Sequence, residues 1–106
     1  MKQATVKLHT AANRLIAAIG GDIDHHSAPG IREEIDRLLE QQRPARLLLD
    51  LGETDFMDSS GLGLILGRKR KTDELGIGLV LINPTPGCRK ILHLAGMENQ
   101  IETKFV

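Results

Sequence analysis

The chain has 106 residues, with 14 Lys+Arg against 14 Asp+Glu and a formal net charge of zero. Hydrophobic residues make up 41% and charged residues 26%, the balance of one globular domain and not of a disordered segment. Phe56 and Phe105 are the only aromatic residues, and without stacking rings or net positive charge a single-stranded nucleic-acid binder is disfavoured.

The N-terminal Met1-Lys2-Gln3-Ala4-Thr5 has no apolar h-region or small-residue cleavage site. No later stretch approaches the roughly 18 apolar residues that span a bilayer, so a cytoplasmic domain without membrane contact is expected. Ala4 to His9 alternates polar and apolar, as a strand buried on one face does. Arg14 to Ile19 is a second, more apolar strand. Thr10 to Asn13 joins the two as a four-residue hairpin loop, and Gly20-Gly21 ends the second strand.

From Ser27 the period changes. Ala28, Ile31, Ile35, Leu38 and Leu39 recur at three- and four-residue spacing, one apolar helix face, with Arg32, Glu33, Glu34, Asp36 and Arg37 opposite. Pro44 stops this helix by disfavouring helical geometry at Arg43. Leu47-Leu48-Leu49-Asp50-Leu51 is too short for a helix and reads as a strand buried on both faces. A polar segment, Gly52 to Asp58, leads into a second helix with Leu62, Ile65 and Leu66 on one side and Gly76 as its C-terminal cap. Ile77 to Ile82 is another buried strand. Thr85 caps a third helix with Pro86 at its first position, its inner face being Cys88, Ile91, Leu92 and Ala95, and Gly96 ends it. Ile101 to Phe105 alternates again as a last strand. The order β-β-α-β-α-β-α-β predicts one α/β domain: a mixed, mostly parallel sheet with an N-terminal hairpin and helices packed on it.

The densest chemical signal is Phe56-Met57-Asp58-Ser59-Ser60-Gly61-Leu62-Gly63. Asp58, Ser59 and Ser60 fall at a helix start, where backbone N–H groups lack intrahelical partners and the dipole favours negative charge. Such an end holds an anion, including a phosphate carried on a side chain; simple capping explains the same residues. A nucleophile elbow fails, since Met57 and Asp58 stand where its first glycine belongs. A P-loop fails for want of a Gly-Lys pair. Gly61, Gly63 and Gly67 miss dinucleotide spacing by one residue. Asp22, Asp24, His25 and His26 crowd one turn, read as a helix-opening turn or partner-contact loop in preference to a metal site, since neighbours in an extended turn rarely converge on one ion. Arg68-Lys69-Arg70-Lys71 spreads around a helix and reads as a solvated face. Cys88 is the only cysteine, so no intramolecular disulfide forms, and it reads as a small core residue.

These residues resemble the STAS (sulfate-transporter and anti-sigma-factor-antagonist) domain over nearly the whole chain. The carriers are Gly21-Asp22-Ile23-Asp24-His25-His26-Ser27, Leu48-Leu49-Asp50-Leu51 and, most specific, Phe56 to Arg68. The continuation Ile65-Leu66-Gly67-Arg68, with Asp24-His25-His26, is similar to the sporulation branch of the anti-sigma factor antagonists. The resemblance implies a STAS domain over 1–106 that acts as a switch and not as an enzyme, with no cofactor. It implies phosphorylation at Ser59 and partner contacts through Asp24, Met57, Asp58, Ser59, Ser60, Gly61 and Leu62. The implied partners are an anti-sigma factor with serine kinase activity and a serine phosphatase: the unphosphorylated form binds the anti-sigma factor and frees a sigma factor, and the phosphorylated form does not. A general stress-response antagonist and a nucleotide- or small-molecule-binding domain of the same fold are the alternatives. The family's domain continues into a C-terminal helix, whereas this chain ends at Phe105-Val106, so the expectation is a domain trimmed of that helix or naturally short.

Overall fold

Strand β1 (Thr5–Ala11) pairs antiparallel with β2 (Arg14–Ile23), and Ala11 faces Arg14 across a turn of two residues. The structure is a computed structural model that describes residues 2–106. Ala12 and Asn13 both take positive φ, 51° and 61°, the pairing of a tight turn whose twist matches its flanking strands. The loop is therefore shorter than the sequence suggests, because Thr10 and Ala11 stay in the ladder. Strand β2 also outruns its expected end. Gly20-Gly21 marks a break in register with the next strand and not a stop. Gly21 has φ +103°, and a Cβ there would lie 2.9 Å from the Lys2 carbonyl oxygen. Its lack of a side chain lets the Asp22 N–H donate to Lys2 O at 2.8 Å and the Ala4 N–H to Asp22 O at 3.0 Å.

Helix α1 (Ala28–Gln42) buries Ala28, Ile31, Ile35 and Leu39, as its period predicts, and ends at Arg43 in the left-handed region just before Pro44. Strand β3 runs from Arg46 to Met57, so Gly52–Met57 is strand and not a polar loop. Ladder pairing with β2 carries these polar residues, up to Asp22↔Phe56 and Ile23↔Met57. Helix α2 (Ser59–Leu75) ends at Gly76, φ 71°, as expected. Its buried face is Gly61, Leu64, Ile65, Arg68 and Thr72, whereas Leu66 is exposed. Strand β4 (Gly78–Ile82) and helix α3 (Pro86–Leu94) follow. Thr85 accepts a hydrogen bond from the Cys88 N–H at 3.4 Å, the cap expected of it, and Cys88 is fully buried, although Ala95 is exposed. Strand β5 (Glu102–Lys104) closes the chain. Among the described residues no helix is long and apolar enough to cross a membrane.

The five strands lie in the order β1-β2-β3-β4-β5, with β2 to β5 mutually parallel. Each helical crossover steps to the next strand in the same direction. Parallel crossovers are right-handed, so all three helices land on one face of the sheet. Leu15, Ala17, Ile19, Leu47, Leu49, Leu51 and Leu81 point into that layer and are fully buried or nearly so. Full burial of each large aliphatic side chain contributes about 1.5–3 kcal/mol. The central strands are not covered on both faces as expected: Ile16, Leu48 and Ile82 point the other way and are only half-buried.

The four-cation run also resolves differently from a solvated face. Arg68 is buried between α1 and α2, its Nε 2.8 Å from Asp36 Oδ1 and its Nη2 3.2 Å from Asp36 Oδ2. Burial pushes the Arg68 guanidinium down from its ordinary value, and the Asp36 carboxylate pulls it back up. Thr72 lies one turn on and donates to the Arg68 carbonyl oxygen at 2.8 Å. The run is thus partly structural, since one of its four cations is a clamp.

Candidate functional site

Strands β2 and β3 are parallel neighbours, so their C-terminal ends meet at one edge of the sheet, where loops of open α/β sheets gather ligands and partners. The Asp58 N–H donates to the Ile23 carbonyl oxygen at 3.2 Å, which ties the loop after β3 to the end of β2. Asp24 through Ser60 of the sequence-predicted set are thereby brought to one edge by two separate crossovers.

In the loop after β3, Asp58 is extended (φ −97°, ψ −162°) and caps α2. Its Oδ1 accepts from the Ser60 N–H at 2.7 Å, and its carbonyl oxygen accepts from Gly61 N–H at 3.0 Å and Leu62 N–H at 3.3 Å. Ser59 is the first residue of the helix; its side chain is exposed and makes no hydrogen bond among the described residues. Asp58, Ser60 and Leu62 are half-buried, and Met57 and Gly61 are buried. A Cβ on Gly61 would lie 2.5 Å from Met57 Cβ and 2.9 Å from its Sδ. Glycine is therefore required for the first turn of α2 to sit on Met57, and that contact fixes where Ser59 stands. Phe56 is 49% exposed beside this turn.

The loop after β2 is built differently. Asp24 Oδ1 accepts from the His26 N–H and the Ser27 N–H, both at 3.0 Å, and from Ser27 Oγ at 3.2 Å. These bonds hold the Asp24 carboxyl below its ordinary range, the Ser27 backbone N–H contributing most. Ala28 N–H donates to the Asp24 carbonyl oxygen at 2.9 Å, so Asp24 does the capping work ahead of α1 that Ser27 leaves undone. The crowded turn is thus a helix-opening turn. His25 and His26 remain exposed, with ring centroids 4.0 Å apart.

Two features escape the sequence reading. Ser27 is buried and belongs to the Asp24 turn, a role signalled only by the Asp-x-x-Ser spacing. A groove of about 540 Å³ also runs between α1 and α2 from Ser60 past Gly63 and Gly67, with His25, Arg32 and Arg70 on its walls. Periodicity within one helix cannot reveal a groove made by two.

Residues 3–105 match the STAS domain. The chain is 34% identical over 83 residues to the anti-sigma F factor antagonist of Lysinibacillus sphaericus, covering 78% of this chain and 71% of that one. It is 31% identical over 90 residues to the anti-sigma-B factor antagonist of Bacillus subtilis, covering 85% and 81%. Its fold is similar to that of the anti-sigma factor antagonist SpoIIAA in its unphosphorylated form, with a TM-score of 0.82 and 28% identity over 94% of this chain and 88% of that one. The phosphorylated form of SpoIIAA gives a TM-score of 0.75 at the same identity, over 94% and 91%.

Proposed function

The chain belongs to the STAS domain family, in its anti-sigma factor antagonist group, and from that premise we propose that it is a phosphorylation-controlled partner switch acting through Ser59. In its unphosphorylated form it binds an anti-sigma factor that is itself a serine kinase and so releases a sigma factor for sporulation transcription. Phosphorylation of Ser59 by that kinase ends the binding, and a serine phosphatase restores it. The switch operates in the cytoplasm.

The observation that carries this reading is the free Ser59 hydroxyl on the first turn of α2, exposed while the groups around it are already bonded. A kinase needs such a hydroxyl, and a phosphate there adds about −1.5 to −2 charges where the helix N-terminus tolerates them. The fold of the domain then stays as it is. A partner surface shaped for a small neutral hydroxyl meets bulk, repulsion and desolvation cost instead. The likeness of this fold to SpoIIAA in both its unphosphorylated and its phosphorylated form supports a local block over refolding. Asp58, Ser60 and Leu62 form the partner surface around Ser59, while Met57 and Gly61, which the resemblance also implies as contacts, are buried and support that surface from beneath. Asp24 joins it through the turn it fixes, its carboxylate being occupied.

Incubation with the anti-sigma factor kinase and ATP, followed by mass spectrometry, is expected to find phosphate on the Ser59 peptide alone. Ser59→Ala takes up no phosphate and still binds, while Ser59→Asp binds about tenfold or more weakly. Phosphate on another residue, or equal affinity of the two variants, overturns the reading. The 31% identity to the anti-sigma-B factor antagonist favours a second reading, a general stress-response switch. Preference for a sigma-B-type over a sigma-F-type anti-sigma factor in the same binding assay selects it.

A further inference from the structure

The face of the sheet opposite the helices carries an apolar centre that none of the described residues covers. Ile16, Leu48, Val80 and Ile82 point to this side, Val80 buried by its neighbours yet apart from the helix-side core. Together with Arg14, Arg46 and Lys104 they line a depression of about 450 Å³. Parallel sheets are ordinarily covered on both faces, because their strands are apolar on both. Four of these five strands are parallel, and among the described residues one face is bare. From this face we propose that the chain associates with a second copy of itself, open sheet against open sheet, about a two-fold axis perpendicular to the strands.

The choice of occupant rests on how the charges of this face are arranged. Arg14 and Arg46 stand at the N-terminal ends of β2 and β3, and Glu53 stands beside Gly20 toward the other end. All three charged side chains are exposed and form no ion pair among the described residues. In the ladder, Ile16, Leu48, Val80 and Glu102 form one row, and Ala18, Asp50, Ile82 and Lys104 the next. A two-fold axis between these rows sets each row of one copy over the other row of its partner. Val80 then meets the partner's Ile82, Glu102 meets the partner's Lys104, and Arg46 meets the partner's Glu53. Leu48 meets the row of Asp50, whose carboxylate is turned along its own strand to accept from the Gly52 N–H at 2.9 Å. On β1, Lys7 and His9 share these rows and meet each other across the axis. The opposite charges of β3 and β5 and the apolar side chains at the centre suit an isologous interface, in which one patch must complement itself. Zero net charge leaves no overall repulsion to oppose it. The Ser59 edge lies at the C-terminal strand ends, outside the paired rows, so each copy keeps its own site.

Sedimentation velocity of the unmodified chain from about 1 µM to about 1 mM tests this. The expected result is a concentration-dependent monomer–dimer equilibrium. Arg46→Glu and Glu53→Arg each weaken it about tenfold or more, because each puts like charges together twice across the axis. The R46E/E53R double variant restores it by exchanging the two signs. Both side chains are exposed, and thermal melts check that the fold survives. A second readout needs no substitution: isotope-filtered NOEs in a mixed labelled and unlabelled sample are expected between Val80 and Ile82 methyl groups. A wild-type chain that stays monomeric overturns the proposal, and so does a dimer indifferent to both reversals or not rescued by the exchange. An open face covered only when a different protein is added also overturns it and assigns the face to that protein.

Discussion

Two loops leave the same edge of the sheet, each opens with an aspartate, and they employ that aspartate in different ways. After β2, Asp24 gathers three donors from within its own turn, including both the N–H and the hydroxyl of Ser27. The serine there is buried and consumed by the structure. After β3, Asp58 satisfies the Ser60 N–H and leaves the intervening Ser59 hydroxyl exposed. The same residue types therefore make a clamp in one place and present a reactive group in the other. What separates them is how many donors reach the carboxylate, a property of the backbone path and not of composition.

The contrast depends on Ser59 being held still, and the strongest way to break it is to move the helix beneath it. Gly61→Val would drive a side chain into Met57, whose Cβ already lies 2.5 Å from the position of a Cβ at residue 61. Met57 is fully buried and has little room to yield. Overpacking of this kind costs about 1–3 kcal/mol, read as a lowered urea midpoint. Kinase-dependent phosphate uptake at Ser59 is expected to fall with it, because the first turn of α2 shifts. Gly63→Ala is the control: beyond its chain neighbours and its own helix backbone no atom lies within 4 Å of the added Cβ, and helix propensity favours alanine. A G61V variant with wild-type stability would mean that the loop owes its position to something other than the Met57 contact.

The next test sets the two aspartates against each other. Asp58→Ala removes one capping bond to the Ser60 N–H and is expected to cost about 1 kcal/mol in a denaturant titration. Asp24→Ala removes the acceptor for three donors and leaves the buried Ser27 hydroxyl without its nearest acceptor. It is therefore expected to cost more than Asp58→Ala. Equal losses would mean that the Asp24 turn is held by its backbone alone, and the distinction between clamp and presenting loop would lapse.

Why part of this was legible in the sequence and part was not follows from particular residues. The 3.6-residue period of Ala28, Ile31, Ile35 and Leu39 names a helix face because each helix buries its own stripe. Thr85-Pro86 and Gly76 name helix ends by local chemistry. Gly52–Met57 looked like a loop because its polar residues are held by pairing with β2, a partner some thirty residues away in sequence. Arg68 looked solvated because its counter-ion, Asp36, lies on another helix. Ser59 stood out at once, since the Asp-Ser-Ser-Gly run at a strand-to-helix junction is local. That Ser27 would be occupied and Ser59 free was not legible, because it depends on which N–H groups each turn points at its aspartate.

Acid gives the smallest and most specific probe of the clamp. The Ser27 N–H acts most strongly on the Asp24 carboxyl; burial, the next effect, opposes it, and the His26 N–H and the Ser27 hydroxyl add to the lowering, so the carboxyl stays below its ordinary value of 3.8. A carboxyl whose folded value is depressed binds protons more readily in the unfolded chain. Its contribution to stability is then fully present above the ordinary value and is lost as pH falls through the folded one. The difference in unfolding free energy between wild type and Asp24→Ala is thus expected to be constant around pH 6 and to shrink once pH drops below 3.8. Paired urea titrations across that interval measure it directly. A difference that persists unchanged into strong acid would show that the turn holds with a protonated Asp24, and the clamp would then rest on shape and not on the carboxylate's charge.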